Sequence, residues 1–119
     1  MITVKEMSKD FDEVEQYLMT ISPAIISMKD VKDGDKIEVD GYLIFEDTKE
    51  NGETSEIMSI ITPNKDVYSC QSATFKRSVL DIAGIMKGKR FTVVKTSGKT
   101  KANRDYINCT LDIKSVAKK

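Results

Sequence analysis

Residues 36–46 read Lys36-Ile-Glu-Val-Asp-Gly41-Tyr-Leu-Ile-Phe-Glu46, and their hydrophobic period is two. Ile37, Val39, Leu43 and Phe45 fall on odd positions, with Lys36, Glu38, Asp40, Tyr42 and Glu46 opposite them. Side chains of a strand alternate between its faces, so the pattern predicts one half-buried strand of about ten residues. Gly41 stands near its middle, where a residue without Cβ permits the bend or bulge that a small barrel needs.

Upstream, residues 24–35 form a connector ending in the turn-rich Lys32-Asp-Gly-Asp35. Before it, Asp10-Phe-Asp-Glu13 has the Asp-x-x-Glu form of a capping box. Phe11, Val14, Leu18 and Ile21 then share one helical face, and Ser22-Pro23 closes the element because the residue before proline avoids helical angles. This predicts an amphipathic helix over 11–21. The first ten residues carry no comparable pattern.

Downstream, Asn51-Gly52 reads as a hairpin turn. Glu56–Thr62 is a second strand, too apolar for alternation to assign its inward face, and Val67–Gln71 is a short third. The period then becomes helical. Ser72 is a suitable N-cap, Phe75, Val79, Ile82, Ala83 and Met86 share a face, and Gly88 marks the end. Two strands follow. Arg90–Thr96 turns Phe91 and Val93 inward, and Asp105–Ile113 turns Ile107, Cys109, Leu111 and Ile113 inward with Tyr106, Asn108, Thr110 and Asp112 outward. The order is helix, then β-β-β-α-β-β, which is that of the mainly-β OB-fold, a five-stranded Greek-key barrel. A chain of 119 residues suits one such domain, with 1–30 as N-terminal helical extension and connector and 36–113 as the barrel.

Composition removes several classes of function. There is no histidine, hence no His-dependent nucleophile, triad or common zinc site. No catalytic residue, metal site or cofactor is predicted, and Asp30, Asp33 and Asp35 read as turn formers. Gly98-Lys99-Thr100 resembles the end of a phosphate loop, but Val93 stands where its first glycine belongs. Cys70 and Cys109, both in strand-like runs, are expected to be reduced and buried. No apolar run approaches the ~20 residues that span a bilayer, and the start has no signal-peptide pattern, so a cytoplasmic protein without a membrane partner is expected.

The net charge is zero but unevenly spread. Residues 1–72 carry 7 Lys and Arg against 16 Asp and Glu, and residues 73–119 carry 12 against 3. Such asymmetry suits nucleic-acid contact, or simply mutual attraction of the halves. Within the basic half, Lys95-Thr-Ser-Gly-Lys-Thr-Lys-Ala-Asn-Arg104 places four cations and no acid in the loop between strands four and five. OB-fold ligands lie on the face of strands two and three, beside that loop. Cations there would release counterions on meeting phosphates. Lys95, Lys99, Lys101 and Arg104 are therefore the candidate phosphate contacts. Tyr106, with Tyr42 on a polar strand side and Tyr68 in ambiguous phase, are candidate stacking rings, and Asn108 a polar contact. Phe11, Phe45, Phe75 and Phe91 read as core.

Lys29-Asp-Val31, Gly41-Tyr42, Glu46-Asp-Thr48 and Ser72-Ala-Thr-Phe-Lys-Arg77, in this order and spacing, make residues 24–113 similar to the small single-stranded DNA-binding proteins of lactococcal and related phages. The resemblance implies an OB-fold, sequence-tolerant single-strand binding in phage DNA replication or recombination in the host cytoplasm, a homodimer, and phage replication or recombination proteins as partners. The closing Lys114-Ser-Val-Ala-Lys-Lys119 is basic, unlike the acidic tail of the better-known bacterial proteins of this kind. Two rival readings use the same residues: an RNA-binding OB domain, and a protein-interaction OB domain working through its acidic half.

Overall fold

The computed structural model describes residues 2–99, 101, 102 and 104–113. In chain order these form β1 (Ile2–Met7), α1 (Glu13–Thr20), β2 (Ile26–Ser27), a 3-10 turn at Met28–Asp30, β3 (Lys36–Val39), β4 (Gly41–Thr48), β5 (Thr54–Ile61), β6 (Val67–Cys70), α2 (Ala73–Met86), β7 (Phe91–Lys99) and β8 (Asp105–Leu111). The closing run 114–119 lies outside the described residues. The fold is mainly β. One sheet has the order β1-β4-β5-β6-β2 and the other β3-β7-β8.

The strand predicted over 36–46 serves both sheets. Its first part, β3, pairs antiparallel with β7 from Lys36↔Val94 to Val39↔Phe91. Its second part, β4, pairs with β5 from Gly41↔Ile61 to Thr48↔Thr54. At the junction the alternation slips by one residue. Ile37 and Val39 share a core with Ile44 and the half-buried Tyr42, while Leu43 and Phe45 belong to a second core. The expected single phase across Gly41 is thus corrected, and Tyr42 faces inward rather than outward. Gly41 stands at the slip for a steric reason. A Cβ there would lie 2.7 Å from Phe11 Cζ and 3.0 Å from Ser8 Oγ.

The larger sheet is apolar on both faces, which is why β5 shows no alternation. Met58 and Ile60 enter the first core, between the two sheets and α2. Ile61, with Leu43, Phe45, Val67, Phe11 and Met19, forms the second, beneath α1. The fully buried Ser59 lies on this second face and donates its hydroxyl to the Met19 carbonyl at 2.5 Å. Burying a side chain such as Met19, 0% exposed, is worth roughly 1.5–3 kcal/mol, so the helix is held mainly by packing.

Helix α1 begins later than the spacing suggested. The capping box is Asp12 with Glu15, whose backbone N–H groups each donate to the other's carboxylate at 2.8 and 3.2 Å. Asp12-x-x-Glu15 fits the motif as well as Asp10-x-x-Glu13, and the later start leaves Phe11 ahead of the cap, 5% exposed in the second core. The buried face is consequently turned. Met19 is inside, whereas Val14 and Ile21, expected inside, are 66% and 61% exposed.

Strand β1 lies along β4, with a register slip between Val4 and Glu6, and sends Ile2 and Met7 to the second core. Helix α2 matches its expected limits. Ser72 Oγ accepts from Phe75 N–H at 3.3 Å, and Phe75 and Val79 are buried. The helix ends with Lys87 in the left-handed region, φ 53°, followed by Gly88 at φ 85°. At the other end of the fold, Ile113 is 74% exposed rather than inward. The chain leaves the ladder before it, where Asp112 N–H donates to the Thr92 carbonyl at 2.8 Å. Cys70 and Cys109 are free and buried. No helix among the described residues is long and apolar enough to cross a membrane.

The two sheets do not close into a complete barrel. The edge of β6 is taken by β2, which pairs with it in parallel at Ile26↔Tyr68 and Ser27↔Ser69. No ladder joins β6 to β8 among the described residues. Just past β6, the α2 cap Ser72 ties the two sides together, its Oγ donating to the Ile107 carbonyl of β8 at 2.7 Å.

Candidate nucleic-acid interface

The gap between β6 and β8 is a cleft of about 930 Å³, a volume typical of ligand sites. Its lining includes Ser27 and Lys29 at β2 and the following turn, residues of β5 and β6, Gln71 to Thr74 at the entrance to α2, and Lys95, Ser97, Asp105 and Tyr106 on the β7–β8 hairpin. Helix α1 lies on β5 and β6 and covers that face of the larger sheet, so the cleft is formed away from it.

The hairpin is more ordered than its composition suggested. The ladder runs from Val93↔Leu111 to Lys99↔Asp105, three residues beyond the strand end expected at Thr96. Lys95 therefore keeps the inward phase of Val93 and is only 6% exposed. Its Nζ donates to the Val31 carbonyl at 2.7 Å and lies 3.3 Å from Asp33 Oδ1. Asp33 also accepts from Ser97 Oγ at 2.5 Å. The Ser97 hydroxyl first, and Lys95 after it, hold the Asp33 carboxyl below its ordinary range. Lys95 thus braces the hairpin against residues 31–35.

The exposed cations lie further out. Lys99 is 3.9 Å from the Asp105 carboxylate, a pair in which both side chains are largely exposed. Lys101 and Arg104 are exposed at the turn. Tyr106, opposite Gly98 in the register, lines the cleft.

The other two tyrosines are not brought to it. Tyr42, Ile60 and Tyr68 form one cross-strand row on the first-core face, and both rings are half-buried there. The Tyr42 hydroxyl donates to Glu6 Oε2 at 2.8 Å. Burial, and then the Glu6 carboxylate, push the Tyr42 phenol up to about 12. Asn108 is also engaged inside the fold: its Oδ1 accepts from Ser78 Oγ of α2 at 2.5 Å and from Cys109 N–H at 2.8 Å.

Lys29, Gln71 and Thr74 line the cleft without having been singled out from the sequence. Lys29 carries no local signal, since it reaches the site only through the two-residue pairing of β2 with β6. Gln71 and Thr74 flank the cap Ser72, and the gap between β6 and β8 makes that helix start a wall.

Set beside protein-family models, curated proteins and solved structures, the chain matches none.

Proposed function

We propose that the chain is an OB-type module that binds single-stranded DNA in the β6–β8 cleft. Connectivity supports the OB reading. The run β3–β4 acts as one long first strand shared by both sheets, followed by β5, β6, α2, β7 and β8 in the order of that fold. The observation that carries the functional reading is the cleft wall, where Tyr106 and Lys29 stand beside the basic hairpin.

Phosphates run past Lys29, Lys99, Lys101 and Arg104, with Lys29 replacing the inward-turned Lys95. A base rests on Tyr106, an interaction worth about 1–3 kcal/mol and nearly indifferent to base identity. Ser27, Gln71 and Thr74 offer hydrogen bonds along the path. The phage setting, action in replication or recombination, homodimer formation and phage protein partners belong to the same proposal and rest on the sequence resemblance.

Fluorescence anisotropy with a labelled poly-dT of about 30 nucleotides, against matched duplex and poly-rU, tests the reading. Neutralising four phosphates predicts a slope of log affinity against log salt of about −3 for the single strand. No binding at low salt overturns it, and preference for poly-rU transfers the site to RNA.

One observation favours a second reading, in which the acidic half docks a protein. Val14, Tyr17 and Ile21 are 66%, 48% and 61% exposed on one side of α1, beside Glu13. The double variant Lys99→Glu/Lys101→Glu separates the two: it abolishes DNA binding under the first and leaves docking intact under the second.

A further inference from the structure

Gly98 and Tyr106 face each other across the β7–β8 ladder, and the glycine leaves no room for any other residue while the ring is in place. A Cβ on Gly98 would lie 2.7 Å from Tyr106 Cε1 and from its hydroxyl oxygen, and 2.8 Å from Cζ. The backbone does not call for glycine here. The described glycines with left-handed φ are Gly34, Gly52 and Gly88, and Gly98 is not among them. The ring is what excludes a side chain. It occupies the space a Cβ would need, and it contributes to the cleft wall. Among the described residues it is also the one aromatic side chain on that wall, since Tyr42 and Tyr68 pack against the first core.

Resting on the single-strand reading above, we infer that Gly98 is a positioning residue that sets Tyr106 as a rigid stacking platform for a single base per cleft. A ring backed by main chain has its conformational freedom removed before the ligand arrives, so less is lost on binding. An alanine at 98 displaces the ring and removes the platform without altering any charge.

The chain has no tryptophan, so Tyr106→Trp introduces a unique reporter. Fluorescence of this variant with poly-dT of about 30 nucleotides is read together with anisotropy on Gly98→Ala, Tyr106→Ala and the double variant. The expected result has three parts. Gly98→Ala and Tyr106→Ala each weaken binding by about 5- to 150-fold, with the salt slope unchanged. Gly98→Ala adds no further loss once Tyr106 is alanine. The Tyr106→Trp emission is quenched by the oligonucleotide, and adding Gly98→Ala removes the quenching.

Independent, additive losses from the two alanine variants overturn the inference. So does full affinity in Gly98→Ala, or an unquenched Tyr106→Trp that still binds. If Gly98→Ala alone unfolds, the double variant, which lacks the clashing ring, supplies the comparison: restored folding with the affinity of Tyr106→Ala supports the coupling, and any further loss overturns it. Failure of the unsubstituted chain to bind at low salt is a separate result, against the single-strand reading itself.

Discussion

Lys95 and Lys99 stand four residues apart on the same strand and on the same side of its pleat, yet only the second reaches solvent, where it lies 3.9 Å from the exposed Asp105 carboxylate. The first carries its ammonium back to the Val31 carbonyl and Asp33, so its loss is a structural event. Lys95→Gln is expected to lower stability by about 1–3 kcal/mol, since a buried cation and its acceptors are disrupted. Its salt slope for poly-dT should match that of the parent chain. Lys99→Gln and Lys101→Gln should do the reverse, each reducing the slope by about 0.7 while leaving the denaturation midpoint within error. Parity points to the inward turn of Lys95, because Val93 reads as inward and Lys95 follows it by two, but it gives Lys99 the same phase; only the extent of the fold around the strand, buried at 95 and exposed at 99, separates them. Tyr42 is the opposite case. Its phase is read through Gly41 without a slip; the glycine marks a place for a bend or bulge, but the sequence alone does not say that the faces exchange there. Its phenol, raised to about 12 in the fold against an ordinary value near 10, has a definite consequence. Stability from the neutral hydroxyl is complete below about pH 10 and is lost as pH rises through the folded value. Chemical denaturation across pH 9–12 should show this decline, and Tyr42→Phe should flatten it.

At the scale of elements, the sequence was most legible where the apolar period was long. Phe75, Val79 and their partners defined α2 together with its cap, and Asn51-Gly52 placed the β4–β5 hairpin, where Gly52 has φ 88°. Elements whose existence depends on what they lie against were not legible. Strand β2 is two residues long, and β1 is an edge strand whose Thr3, Lys5 and Glu6 are exposed. Helix α1 was foreseen, but overlapping Asp-x-x-Glu motifs left its start ambiguous until Phe11 had a place to be buried. The tie between this helix and the sheet beneath it includes the Ser59 hydroxyl. Ser59→Ala strands the Met19 carbonyl in an apolar surrounding and should cost about 1–3 kcal/mol. The loss should appear in urea denaturation, with hydrogen exchange in 13–20 accelerated more than in 73–86.

For the molecule as a whole, the opposed charges of the two halves are partly spent within the fold. Asp40 bonds Arg90 at 2.7 Å, Glu56 meets Lys76 at 3.0 Å and Asp33 meets Lys95 at 3.3 Å, each pair joining the acidic first part of the chain to the basic second. Mutual attraction therefore accounts for some of the asymmetry visible in the sequence, and the remaining cations at the hairpin are what a ligand would meet. Each of these pairs sets one largely buried partner against one open to solvent, and the architecture rests chiefly on its two cores. Those cores share one sheet, and the slip between Val39 and Tyr42 decides which side chains belong to each. Deleting Gly41 would thus not shorten a strand so much as turn it over. Every side chain of β4 would change allegiance, offering Leu43 and Phe45 to the space between the sheets and Tyr42 and Ile44 to the underside of the helix. An in-frame loss of one codon at this point should leave no cooperative thermal transition, whereas the same loss in the turn at Lys49–Glu53 should be tolerated.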